Sequence, residues 1–363
     1  MRLIRARIDT AALRHNLGTM RAYAPRAKVM AVIKANAYGH GLVSSALALA
    51  DADALAVARL EEGIALRSAG VRAPIVLLEG VFDADQLAEA ALHRFELVVH
   101  DPLQLKLLEA HRGAGRFVVW IKLDTGMNRL GFPAEGFANA LARVRSLTVP
   151  ALELRVMTHM ARADERDQPM TGAQLARFRV ALAESKLTGA NRLATSIGNS
   201  ATVLAWPDAH GDWIRPGLAL YGVSPFGGET AEQHGLRPVM TLETTVLTVR
   251  DVKRGETVGY AGAWRAERDS AIAILAAGYG DGLPRSLVNG TPILIGGARH
   301  PLVGRVSMDM IAVDVTGAPQ VHAGQHAVIW GAGLPVEEIA RHAGTIPYEL
   351  LCGVSQRVPL ELK

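Results

Sequence analysis

The sequence predicts an α/β plus β protein. An N-terminal (β/α)8 barrel of the TIM type is expected over residues 10–230, followed by a mostly antiparallel β domain over 231–363. Three observations carry this expectation. Short apolar runs alternate with helical patterns from residue 28 to about 221. Eight such runs occur, with the spacing of βαβ units. After about residue 230 the texture changes to short β-branched runs punctuated by Gly, Pro and Asn.

Residues 1–9 alternate Leu3, Ile4 and Ile8 with arginines and read as a strand grouped with the C-terminal domain. Thr10 is the expected N-cap of a helix carrying Leu13, Leu17 and Met20. Barrel strands are expected at 28–34, 54–59, 75–79, 95–100, 117–123, 152–159, 192–197 and 213–221. Helices are expected between them at 61–69, 84–93, 102–111, 134–146, 172–185 and 199–205. An open doubly wound sheet is the competing architecture. It needs a G-x-G-x-x-G loop after the first strand, and none is present there. Residues 223–235 form the expected linker. The β domain follows with runs at 240–249, 271–276, 292–295, 301–306, 310–315 and 326–330.

The chain has 363 residues, 49% of them hydrophobic, enough for substantial cores. Its net charge of +4 is scattered rather than clustered, so no nucleic-acid footprint is expected. A single cysteine, Cys352, excludes an intramolecular disulfide and suits a reducing compartment. The first residues lack an uninterrupted apolar stretch, and no run reaches membrane-spanning length. A cytoplasmic protein with no membrane partner and no bound metal is expected.

Chemistry in such barrels sits at the C-terminal ends of the strands. The first strand ends on Lys34 within AVIKANAYGHG. Desolvating an ammonium is costly, and a dried amine is freer to attack carbonyls. The plain alternative is a lysine that reaches solvent. Strand five runs into Lys122, Asp124 and Arg129, strand six ends at His159, and strand seven runs into Asn199 and Ser200. Strand eight carries Arg215, Pro216 and Gly217. Taken singly, His159 reads as a satisfied core histidine, Arg215 as an ion-pair residue and Asn199 as a helix cap. Together they make a phosphate-binding helix end beside an amine and two arginines. One cofactor fits that set: pyridoxal 5'-phosphate (PLP), with a Schiff base on lysine and a charged partner at the ring nitrogen.

These segments resemble those of the bacterial alanine racemase family. The resemblance covers essentially the whole chain, through AVIKANAYGHG, IKLDTGMNRLG, the NSA segment at 199–201, IRPGLALYG, VGYAGAW, AAGYGDGLPR and GRVSMDM. It implies interconversion of L- and D-alanine, for peptidoglycan supply or for D-alanine catabolism. It implies PLP on Lys34, with Tyr38, Ser200, Gly217 and Leu218 at the phosphate and Asn199 beside it. Arg215 would face the pyridine nitrogen, and His159 would buttress Arg215 and the catalytic tyrosine. Arg129 would bind the substrate carboxylate. Lys122 stands where many members carry a carbamylated lysine that orients Arg129. Tyr260 would be the second acid/base, Met308 and Asp309 the substrate-pocket pair, and Tyr279 an entrance residue. In the family these act on the partner subunit's cofactor, so a head-to-tail homodimer is implied. The sequence departs from the pattern at two places. Gln356 replaces a tyrosine that some members use to touch the phosphate and narrow the entrance, which leaves a broader amino-acid racemase as the alternative. Ser196 replaces a histidine behind the ring.

Overall fold

The computed structural model describes residues 3–113, 116–147 and 152–363. Eight parallel strands follow one another in space as they do in sequence: Lys28–Val32, Ala54–Val57, Ile75–Leu77, Glu96–Val99, Val118–Lys122, Glu153–Met157, Thr195–Ser196 and Trp213–Ile214. The eighth pairs with the first through Lys28 and Trp213 and through Val29 and Ile214. The seam between the seventh and eighth is closed by the Arg215 amide donating to the Gly198 carbonyl at 2.7 Å and the Asp212 amide donating to Thr195 at 2.9 Å. The second, third and fourth strands are buried at every position, as strands covered on both faces must be.

The helix Thr10–Tyr23 is capped by Asp9, not by Thr10. Asp9 Oδ1 accepts the Ala11 and Ala12 amides at 2.9 Å each, a reach the Thr10 side chain lacks once its own backbone is helical. The helix Ser200–Ala205 follows the seventh strand, capped by Asn199 through the Thr202 amide. The eighth strand is shorter than the run 213–221 suggested. It ends at Ile214, and Leu218–Tyr221 form a buried 3-10 turn. Pro216 lacks the N–H that a ladder would need there. The first strand likewise stops at Val32, two residues before Lys34.

The second sheet also has eight strands. Its axis is the 13-residue strand Met240–Val252, which pairs with Ile4–Ile8, His326–Trp330 and Ser270–Leu275, all antiparallel. A register shift between Val246 and Thr248 bends it, so that Ser270–Leu275 joins it at one edge and Ile311–Asp314 at the other. The run expected at 301–306 forms a strand earlier, at Ala298–Val303. Residues 1 and 2 of the expected N-terminal strand lie outside the described residues. Further elements carried no expectation: the antiparallel pair Thr257–Val258 and Trp264–Arg265, the helices Val336–Ala343 and Pro347–Gly353, and the strand Leu360–Leu362, which runs parallel to Ile4–Ile8. The helix Pro347–Gly353 lies against the turn after Lys34. A Cβ on Gly39 would stand 2.1 Å from the Leu351 carbonyl oxygen, so only glycine permits this approach. Among the described residues no helix is long and apolar enough to cross a membrane.

Candidate active site

Lys34 is half-buried rather than fully dried. It opens a left-handed turn in which Ala35, Asn36, Ala37 and Tyr38 have φ of 54°, 53°, 54° and 52°. For non-glycine residues this handedness costs roughly 1–2 kcal/mol each, so neighbours must impose it. The Ala35 amide donates to Glu62 Oε1 at 2.7 Å, and the Leu42 amide to Asn36 Oδ1 at 2.8 Å. Nδ1 of His40 lies 3.0 Å from the Ala37 carbonyl oxygen and 2.8 Å from that of Tyr38. Two carbonyls on one nitrogen place the proton there. His40 is wholly buried, and burial lowers its pKa to about 4, so the ring is neutral and fixed in that tautomer.

The turn delivers the buried Tyr38 to the seam between strands seven and eight. Its ring stacks on Tyr221 at 4.8 Å between centroids and meets Tyr348 at 5.8 Å. A Cβ on Gly217 would lie 2.4 Å from Tyr38 Oη, so the phenol and the bare Gly217 backbone form the two walls of a small polar cradle. Ser200 Oγ accepts the Gly217 amide at 3.0 Å and the Ala219 amide at 3.2 Å. With its lone pairs so used, the Ser200 hydroxyl proton is left to donate outward. Gly217 therefore contributes close approach, while its own amide is engaged with Ser200.

Arg215 is buried and held entirely by neutral acceptors. Nη1 donates to Ser196 Oγ and Nη2 to the Thr158 carbonyl, both at 2.6 Å, and Nη2 lies 3.2 Å from His159 Nδ1. Ser196, the departure noted above, thus supports the guanidinium directly and passes its own proton to the Trp213 carbonyl at 2.8 Å. Burial lowers the Arg215 pKa to about 10, which leaves it protonated at neutral pH. His159 is pushed well below the usual histidine range by burial and then by Arg215, Lys122, Arg129 and Lys34. It is therefore neutral. Lys122 is 8% exposed, and its pKa falls to about 8 through burial, Arg215 and Arg129, with Lys34 adding to them against Asp124. Arg129 itself is exposed.

Two supporting residues escaped the sequence reading. Gln174 is fully buried on the helix Met170–Glu184, and its Nε2 donates to the His159 carbonyl at 3.0 Å and to Thr125 Oγ1 at 3.1 Å. It ties the ends of strands five and six together. Tyr348 stands beside Tyr38 from the C-terminal helix, its pKa pushed up to about 12 by burial and then by Asp164. Gln356 is exposed on the turn that follows.

The remaining expected residues lie on turns between strands of the C-terminal part of the chain. Tyr260, Met308 and Tyr279 are 67%, 53% and 41% exposed, unusual for large apolar side chains in one neighbourhood. Backbone bonds join the turns of Tyr279 and Met308: the Tyr279 amide donates to the Ser307 carbonyl at 3.0 Å and the Gly280 amide to the Met308 carbonyl at 2.9 Å.

A family model described as "Alanine racemase, N-terminal domain" matches residues 8–225, and one described as "Alanine racemase, C-terminal domain" matches residues 239–362. The chain belongs to the alanine racemase family. An alanine racemase of Nitrosococcus oceani is 49% identical over 359 residues, covering 99% of each chain. One of Aeromonas hydrophila is 49% identical over 98% of each. Among solved structures, the biosynthetic alanine racemase of Pseudomonas aeruginosa superposes with a TM-score of 0.94 at 44% identity, over the full length of both chains. That of Acinetobacter baumannii gives 0.93 at 38% identity, again over both full lengths. Members of the alanine racemase family are isomerases that depend on PLP. Nothing among these relatives favours a broader amino-acid racemase.

Proposed function

We propose that this chain interconverts L- and D-alanine by a two-base mechanism, with PLP on Lys34 and the partner subunit's Tyr260 on the opposite face. The observation that carries the reading is the charge of the barrel mouth. The charged groups acting on His159 are Arg215, Lys122, Arg129 and Lys34, all cations. Such a mouth calls for anions, and a phosphate with a substrate carboxylate supplies them. The cradle between Tyr38 and Gly217 suits the phosphate, with the Ser200 hydroxyl and the first amide of the turn at Leu218 as donors and Asn199 capping the adjacent helix. PLP, when bound, supplies the electron sink that lets the Cα–H bond ionise.

The chain's own residues do the rest. Arg215 would face the ring nitrogen and donate a hydrogen bond without surrendering its proton, because it stays charged at neutral pH. His159 fixes that guanidinium through Nδ1 and keeps its own proton on Nε2. Arg129 holds the alanine carboxylate, with Lys122 behind it. Lys34 exchanges the D-alanine proton and Tyr260 the L-alanine proton, one on each face of Cα. Met308 and Asp309 border the alanine, and Tyr279 lines the entrance. A head-to-tail homodimer brings the exposed turns of one chain to the cationic mouth of the other and covers their apolar side chains. Exchange of the Cα proton with heavy water tests the assignment. Tyr260→Phe should suppress exchange from L-alanine about 10²–10⁴-fold and leave exchange from D-alanine far less affected. Equal loss from both enantiomers removes the two-base reading.

A further inference from the structure

The turn that carries Met308 and Asp309 is tethered from the C-terminal segment. Arg357 Nη2 donates to Asp309 Oδ1 at 2.6 Å, and Arg357 Nε donates to Asp281 Oδ1 at 2.7 Å. Asp281 is buried, and its Oδ2 accepts the Gly278 amide at 2.9 Å. The Ser355 amide closes the arrangement by donating to the Asp281 carbonyl at 3.0 Å. One guanidinium thus joins three turns, and a Cβ on Gly280 would stand 2.9 Å from its Nη1.

The two links differ in what they accomplish. Asp281 is an interior carboxylate that needs a cation. Asp309 is not. The Asp309 and Arg357 side chains are 55% and 49% exposed, and ion pairs of that kind add little stability. What the Asp309 link does is cancel a negative charge beside Met308. Alanine enters as a zwitterion, and an unpaired Asp309 at its pocket would repel the carboxylate end and draw the ammonium toward itself, against the orientation Arg129 requires.

We infer that Arg357 is a positioning residue for substrate: it turns the Asp309 carboxylate onto itself and removes that charge from the path of the alanine carboxylate. The inference rests on the reading that Met308 and Asp309 border the alanine pocket across the subunit interface. It assigns a role to a residue outside the barrel mouth, and it makes KM rather than kcat the sensitive quantity.

Steady-state kinetics of the full-length, PLP-loaded enzyme test this with Arg357→Met, Asp309→Asn and the double variant. Arg357→Met should raise KM for alanine about tenfold or more with a smaller change in kcat. Adding Asp309→Asn should return KM to within about twofold of the parent, since no charge is then left to cancel. If circular dichroism shows Arg357→Met unfolded, Arg357→Lys serves in its place. It keeps a cation for Asp281 but cannot span both carboxylates, and its KM rise should likewise vanish with Asp309→Asn. An unchanged KM in the single variant overturns the inference. So does a raised KM that survives Asp309→Asn, because Arg357 would then act only through Asp281. Failure of the underlying reading looks different: Tyr260→Phe would leave racemisation intact, and both proposals would fall together.

Discussion

Nη2 of Arg215 stands 3.2 Å from Nδ1 of His159, and the two groups decide each other's state. A guanidinium has only donors, so Nδ1 accepts and the imidazole proton resides on Nε2. The charge on Arg215 in turn helps to keep the imidazole neutral. Replacing Arg215 with Met removes both the donor and the nearest of the charges. The pKa of His159 should then rise. Histidine resonances followed by NMR should show the His159 titration at higher pH in Arg215→Met than in the parent, with burial and the remaining cations still holding it below the usual histidine range.

The depressed pKa of Lys122 sets a pH dependence with a definite sign. Between about 8 in the folded protein and 10.5 in the unfolded chain, the unfolded state binds more protons. Stability therefore rises as pH climbs through that window, and the shift corresponds to a penalty of about 3 kcal/mol at neutral pH. Urea unfolding in CO2-free buffer should show this rise in the parent and its absence in Lys122→Met, with the variant more stable at pH 7.

The same shift makes Lys122 reactive toward CO2, because far more of the amine is neutral near pH 7 than for an ordinary lysine. A carbamate there would be an anion among Arg129, Arg215 and Lys34. With ¹³C-bicarbonate, a carbamate carbon signal should appear in the parent and vanish in Lys122→Arg, and the neutral-pH penalty should shrink as it forms.

The left-handed turn gives a test in which the usual sign reverses. In a right-handed helix, Ala→Gly costs roughly 0.5–1 kcal/mol. Ala35 is exposed and has φ of 54°, where glycine carries no steric penalty. Ala35→Gly should therefore leave stability unchanged or raise it by up to about 1 kcal/mol, and Ala35→Val should lower it. Thermal unfolding of the two variants separates the cases.

The barrel was legible because strands such as Ala54–Val57 and Ile75–Leu77 are buried on both faces and read as unbroken apolar runs between helical patterns. The same property hid the end of the eighth strand. Leu218–Tyr221 is as apolar and as buried as a strand, and only the fold shows it coiling into a 3-10 turn. The β domain read well where β-branched residues alternate. The helix Val336–Ala343 is a single short amphipathic stretch among strands, and no cap residue announced it.

Within the site, Lys34, His159 and Arg215 stood out because polar groups ending apolar strands are conspicuous. The handedness after Lys34 was not legible, since Ala35 and Ala37 prefer the opposite twist and contacts from Glu62, His40 and Leu42 overrule them. Gln174 escaped for a related reason. Its partners Thr125 and His159 belong to other elements, and nothing local marks the residue. Arg357 carried no expectation, because its partners Asp281 and Asp309 are brought to it only by the fold.

The reversed winding between Lys34 and Tyr38 has a mechanical consequence. A right-handed helix has the same rise per residue but turns its side chains about the axis in the opposite sense, and would point the phenol elsewhere. The mirror-image coil winds the other way and sets Tyr38 beside Gly217, four positions from the lysine in the AVIKANAY order. On the proposed function, amine and phenol would hold opposite ends of the cofactor from a single short loop. Any engineered replacement that makes this loop a better conventional helix former would pull those two handles apart, and its first symptom would be a cofactor that washes out while the barrel stays folded.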